Sequence, residues 1–291
     1  MAGEELSLGE GYGNGEFFVR NYVLSARWLQ AAMKDSDETS KSHRIAEVAY
    51  GRLLLLGRGV AMDQTRAQQI ISPLADSGDR QAMITLAMMY INGWGVGTDY
   101  REAKDLLFRV EGRFDNQSRY PFALTLLGTL YLEGWGVDQD LNRARDFFDQ
   151  AAAVGEDDGQ VKLGEMYLYG IGTEKDMAFA ARMFRSAWLK DNPLGMYGLA
   201  ELYSRGLMPD KPKDFIQAYK MYHRAAVEGL PRAQGEMSAY NFLGVGKKVD
   251  LSTAHKWALL GASHGSLRAK TELPLIESAI AKSPAAKPAT P

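Results

Sequence analysis

One nine-residue frame recurs along this chain and restricts it to a small set of folds. It reads INGWGVGTD at residues 91–99, LEGWGVDQD at 132–140 and LYGIGTEKD at 168–176. A single loop with glycines at alternate positions invites comparison with a phosphate cradle. A dinucleotide-binding turn, however, needs a strand before its glycines, a helix starting among them and a third glycine at a set spacing, and it occurs once. Here the residues before the glycines have a helical pattern and the loop is repeated, so the loops are expected to be hinges between paired helices.

Taking the first glycine of each loop as origin gives Gly57, Gly93, Gly134, Gly170, Gly206 and Gly244, spaced by 36, 41, 36, 36 and 38 residues. The extra residues fall in the polar segments 111–121 and 209–214. Eleven residues before each origin stand Ala46, Ala82, Ala123, Gly159, Gly195 and Ala233; six before stand Gly51, Ala87, Gly128, Gly164, Ala200 and Ser238. Helices approach closely only where neither presents a bulky side chain, so these columns mark contact points. Between them runs Tyr50, Leu86, Leu127, Leu163, Leu199 and Met237, and three before the origin stand Tyr90, Tyr131, Tyr167 and Tyr203. These offsets share one helical face and define a first helix, A, in each unit.

Beyond the glycines an aspartate follows in every unit: Asp63, Asp99, Asp140, Asp176, Asp214 and Asp250. Four residues later comes Ala67, Ala103, Ala144, Ala180, Ala218 or Ala254. An aspartate before a helix accepts from the free N–H groups of the first turn and suits the positive end of the helix dipole. Asp99 and Glu102 have the spacing of a capping box. A second helix, B, then carries Ile70, Leu106, Phe147, Met183, Met221 and Trp257. The glycines supply the positive φ needed where helix A ends, and Trp94 and Trp135 within the loops are expected to pack on the adjacent unit.

These residues resemble the Sel-one-like repeat (SLR) family, a relative of the tetratricopeptide repeat. The pattern is A-x-x-x-L-G-x-x-Y-x-x-G-x-G-V, then aspartate, then an alanine-rich helix; ALTLLGTLYLEGWGV at 123–137 matches nearly every position. Departures lie in the fifth unit, where Met208 and Pro209 replace glycine and valine, and in the end units, where Leu54 and Asn241 replace the tyrosine. The resemblance implies an all-α fold, a right-handed α-α superhelix of six helix-turn-helix units. The expected organisation is a flexible N-terminus over 1–15, a capping helix or half-repeat over 16–43 and six repeats over 44–265. A capping helix over 266–279, kinked or split at Pro274, and a disordered proline- and alanine-rich tail over 280–291 complete it.

A formal net charge of −2 gives no basic field to attract nucleic acid or anionic lipid, so neither is an expected partner. No run approaches the roughly 18 apolar residues of a membrane span. The absence of cysteine excludes disulfides and thiolate zinc sites but fits either redox compartment. The N-terminus has no basic-then-apolar leader; Ala2 and Gly3 after Met1 suit the start of a mature exported chain behind a new initiator. With the family resemblance, this favours a periplasmic or secreted bacterial protein, with the cytoplasm as the alternative.

The A helices of such a superhelix line its concave side. Carrying over the tetratricopeptide pattern at offsets −9, −5, −2 and −1 selects a groove that includes Ile84, Met88, Asn92, Thr125, Thr129, Glu133, Val161, Glu165, Tyr169, Tyr197, Glu201 and Arg205. Its carboxylates suit a protein or peptide partner with a preference for a basic one. The resemblance implies a non-catalytic interaction scaffold or adaptor that assembles or regulates an envelope or secretion complex. The alternative is an envelope-carbohydrate or peptidoglycan binder stacking sugars on Trp94, Trp135, Tyr169 and Tyr197. His43, His223, His255 and His264 share no motif and no nucleophile elbow is present, so no enzyme, cofactor or metal site is expected.

Overall fold

A computed structural model describes residues 21–111, 120–209 and 211–282. Every regular element among them is helical. The chain divides into two compact units, 1–144 and 145–291, each taken by itself below. In the first lie α1 (Tyr22–Asp35), α2 (Lys41–Leu56), α3 (Gln64–Asp76), α4 (Arg80–Asn92), α5 (Tyr100–Glu111) and α6 (Pro121–Glu133). Helix α7 (Leu141–Ala153) runs across the boundary. The second holds α8 (Asp157–Tyr169), α9 (Met177–Trp188), α10 (Pro193–Arg205), α11 (Phe215–Val227), α12 (Pro231–Leu243), α13 (Leu251–Ser263) and α14 (Leu267–Lys282). Even-numbered helices from α2 to α12 are the A helices and odd-numbered ones from α3 to α13 the B helices. The fold is an all-α helical repeat of the solenoid class.

One turn chemistry is used six times. The first glycine ends helix A in the left-handed region, from φ 61° at Gly57 to 74° at Gly170. The cap aspartate then makes two bonds. Its side chain accepts from the first-turn N–H groups of helix B, as from Phe179 to Asp176 at 2.8 Å and from Arg66 to Asp63 at 2.9 Å. Its own N–H donates back to helix A three residues before the glycine: Asp99 to Tyr90 O at 3.1 Å, Asp140 to Tyr131 O at 3.0 Å, Asp214 to Tyr203 O at 3.0 Å. The Asp99–Glu102 capping box is therefore only half formed. Asp99 accepts from Glu102 N–H at 3.0 Å, but its own N–H is committed to Tyr90.

The second glycine answers to proximity. A Cβ on Gly95 would lie 2.4 Å from the Gln64 carbonyl oxygen, one on Gly59 2.2 Å from that of Tyr22, and one on Gly246 3.0 Å from Phe215 Cβ. The loops at Gly95, Gly136 and Gly246 thus rest on the start of the preceding unit's B helix, and that at Gly59 on the start of α1. Trp135 confirms the same docking by stacking on Tyr100, with centroids 5.1 Å apart. In the fifth loop the altered sequence changes the packing: Met208 is buried in the core beside Leu202 and Phe184.

Small columns seat large residues between them. Phe184 of α9 is 1% exposed and fills the space left by Gly164 on α8 and Gly198 on α10, where added Cβ atoms would stand 2.8 and 2.6 Å from its ring. Such close packing is what single core side chains contribute to stability, about 2–3 kcal/mol for a ring of this size. At the C-terminal end α14 runs unbroken through Pro274 to Lys282, three residues into the stretch expected as tail. Residues 283–291, the N-terminal 1–20 and the insertion 112–119 lie outside the described residues. No described helix is long and apolar enough to cross a membrane.

Candidate interaction face

The expected groove residues lie on the A helices, and each unit presents its share differently. In the first unit Asn92 and Thr129 turn their polar atoms back on their own helices, donating to Met88 O at 2.8 Å and Thr125 O at 2.9 Å. Met88 is half-buried and Glu133 exposed. The −9 column, expected on the surface, is interior: Ile84 is 3%, Thr125 5% and Val161 1% exposed. This position stands between the −11 and −6 contact columns and is enclosed with them; only Tyr197 emerges there, half-buried.

The second unit brings its groove residues together in ion pairs. Tyr169 donates to Glu201 Oε2 at 2.7 Å, while Arg205 holds Glu201 Oε1 at 2.6 Å. Glu165 takes Lys162 at 3.1 Å and, from the other side, Arg232 at 3.8 Å. Of the carboxylates expected to attract a basic partner, Glu165 and Glu201 are thus already matched by cations on the same wall. Tyr197 stands edge-on to Tyr222, centroids 5.2 Å apart. Burial, and then the charges of Glu236 and Glu201, push its phenol up to about 12. Burial also raises Tyr169, reinforced by its bond to Glu201.

Beyond Tyr197 the wall continues into residues that the offset pattern did not select. Arg268 on α14 clasps both oxygens of Glu236 at 2.6 Å and bonds Glu272 at 2.9 Å. Burial raises the Glu236 carboxyl, and Arg268 opposes that rise. Glu236 and Arg268, with Tyr197, Arg232, Ser266 and Leu267, line a cavity of about 390 Å³. Arg268 and Glu272 were missed because α14 precedes no glycine loop and so had no origin to count from, and Arg232 and Glu236 because they stand 12 and 8 residues before Gly244, outside the four offsets counted. The signal was present all the same: Arg232 and Arg268, like Glu236 and Glu272, stand one 36-residue period apart.

The histidines are spread over separate structural sites. His43 contacts Ser36 and Glu47, His264 contacts Gln234, His255 contacts Glu277, and His223 lies between Tyr219 and Trp257. Among the described residues no group of three or more histidines and carboxylates is placed to hold a metal ion.

Six segments of the chain, 5–36, 80–109, 121–156, 157–190, 193–229 and 231–266, match the Sel1 repeat. The chain belongs to the Sel1 repeat family. The matched frame includes 5–36, which ends on α1, and passes over the α2–α3 pair, although that pair has the same glycine turn and aspartate cap. Sel1 repeat proteins are in general non-catalytic scaffolds for protein interaction. No curated protein is similar to the chain in sequence. Among solved structures it is similar to a Sel1 repeat protein from Oxalobacter formigenes, at TM-score 0.60 and 24% identity over 95% of this chain and 76% of that one. It is similar to the immunity protein Pa5087 from Pseudomonas aeruginosa at TM-score 0.57 and 20% identity, covering 81% and 87%. The protective antigen c5321 of uropathogenic Escherichia coli, which displays an SLR fold, matches at TM-score 0.54 and 22% identity over 96% of this chain. This chain spans 57% of the antigen's length. At these identities the likeness is one of fold.

Proposed function

We propose that this Sel1 repeat protein is a non-catalytic adaptor that holds a protein or peptide segment on the A-helix wall of its second unit. The observation that carries this reading is Arg232: its side chain is 67% exposed at the mouth of the Tyr197 cavity, and its one ion pair, to Glu165, is long at 3.8 Å. A guanidinium so placed can exchange a weak contact for a bidentate one with a partner carboxylate or backbone carbonyl. Because Glu165 and Glu201 are already paired, the wall suits a segment of mixed charge better than a predominantly basic one. The sugar-stacking alternative has less support, since one face of Trp135 is spent on Tyr100 and the Tyr169 hydroxyl on Glu201.

The test is affinity capture from the source organism with the intact protein and with an Arg232→Glu, Glu201→Gln variant. Arg232 is exposed and glutamine keeps the size and shape of the half-buried Glu201, whereas truncating the half-buried Tyr197 would mix packing with binding. Partners retained by the intact protein and lost by the variant are expected; identical captured sets would overturn the reading. We further propose work in the assembly or regulation of a bacterial envelope or secretion complex, in the periplasm or outside the cell. Family resemblance supports it, as do fold neighbours that include an antigen and an immunity protein. Fractionation finding the protein only in the cytoplasm would reject that setting.

A further inference from the structure

The three B helices of the second unit, α9, α11 and α13, contain Arg182, Arg185, Lys220, Arg224 and Lys256 together with His223 and His255, and not one aspartate or glutamate. The charges fall in register. Six residues after the cap aspartate stand Arg182, Lys220 and Lys256, one per consecutive repeat and all exposed. The same position in α3, α5 and α7 holds Gln69, Asp105 and Asp146, so the row begins only at α9.

These cations are also unmatched. Among the described residues, Arg182, Arg185, Lys220 and Lys256 have no carboxylate within 4.0 Å. Arg224 is paired with Asp191 at 2.5 Å, and His255 contacts Glu277 at 3.4 Å. On the A-helix wall, by contrast, Arg205 and Arg268 are both tied to glutamates. Aromatic faces lie between the charges: Arg182 over Phe179 at 5.1 Å, Lys247 over Tyr219 at 5.0 Å, and His223 between Tyr219 and Trp257. Phe215 and Ile216 are 38% and 59% exposed at the edge of the row.

A line of like charges held across three repeats without counter-ions repels itself, and carboxylates from outside relieve that repulsion. We propose that the B-helix face of the second unit docks an acidic protein segment, glutamates or aspartates meeting the Arg182–Lys220–Lys256 row and apolar side chains meeting Phe215, Ile216 and Trp257. A protein fits better than a polyphosphate or anionic bilayer. Phe215 and Ile216 offer apolar contacts that a polyphosphate cannot use, and the Asp191 and Glu277 carboxylates beside the row disfavour a continuous anionic surface such as a bilayer. This surface lies apart from the A-helix wall, so either can fail without the other.

Fluorescence anisotropy of a labelled Glu/Tyr copolymer tests the proposal, with the intact protein and with the triple variant R182E/K220E/K256E, whose fold is checked by circular dichroism. The copolymer should bind the intact protein, bind it more weakly as salt screens the charges, and lose about tenfold or more in affinity to the variant. A milder triple variant, with glutamine at the same positions, should fall between. No binding at low salt, or equal binding by a folded variant, overturns the proposal. Tighter binding of oligothymidine or of phosphatidylglycerol vesicles than of the copolymer overturns the assignment to a protein partner.

Discussion

Gly136 lies so close to Tyr100 that a Cβ built on it would stand 2.7 Å from the tyrosine Cβ and 2.8 Å from its carbonyl carbon. The loop of one repeat therefore rests directly on the backbone that starts the previous B helix. Gly136→Ala must pay for a left-handed backbone at φ 69° and for the overlap. A loss of about 2–4 kcal/mol is expected. Gly78, at φ 93° with nothing within 4 Å, pays for the backbone alone, about 1–2 kcal/mol on replacement by alanine. Urea midpoints of the two variants decide the matter; equal losses would mean that the docking contact contributes nothing.

Asp191 is the one non-glycine residue at positive φ among those described, at 59°. It occupies the turn position that Gly78, Gly155, Gly229 and Gly265 fill elsewhere. Its ion pair with Arg224 has both side chains more than half exposed and is weak for that reason. Asp191→Gly should stabilise the protein by about 0.5–1 kcal/mol through relief of the backbone. Thermal unfolding measures this, with Arg224→Ala as the control for the ion pair.

Asn192 is buried, caps α10 through Leu194 and Gly195 N–H, and donates to Asp157 at 2.6 Å and Asp158 at 2.9 Å. Burial raises the Asp158 carboxyl above its ordinary value, and the Asn192 bond opposes the rise. A carboxyl raised in the folded state contributes stability that is present below its unfolded pKa and lost as pH climbs through the raised value. Asn192→Ala removes the opposing bond and the cap, at about 1–2 kcal/mol near neutral pH. Its deficit should shrink as pH falls toward the ordinary carboxyl value of 3.8. A deficit independent of pH would show that only the cap matters.

Gly198→Ala would press a methyl group to 2.6 Å from the Phe184 ring, costing about 1–3 kcal/mol by overpacking. Phe184→Leu alone leaves a void. Together the two should cost less than their sum by about 0.5 kcal/mol or more, the mark of residues in contact. Strict additivity in a double-mutant cycle would show that the Gly198–Phe184 contact contributes nothing to the core.

Much of the fold was legible because it depends on short-range chemistry. The αL glycine, the aspartate cap and the small columns each act within one hairpin, so Gly134, Asp140 and Ala123 announced their roles by position alone. The half-formed capping box was not legible: whether the Asp99 N–H turns to Glu102 or to Tyr90 depends on where helix A ends in space. Nor was the interior place of Ile84 and Val161, because a borrowed offset pattern does not say which positions of helix A the neighbouring helices enclose.

The sequence by itself determined that this is a helical-repeat protein, where its hinges lie and which residues cap its helices, since local backbone energetics repeat every 36 residues. Tertiary structure alone decided which surface charges remain free. Glu165 and Glu201 read as open carboxylates until Arg232, two repeats on, and Tyr169, from the preceding repeat, came within reach of them. Arg182, Lys220 and Lys256 read as ordinary surface charge until the structure left all three with no described carboxylate within 4.0 Å. Pairing between side chains more than thirty residues apart falls off with distance in space, and that distance exists only after the repeats have stacked.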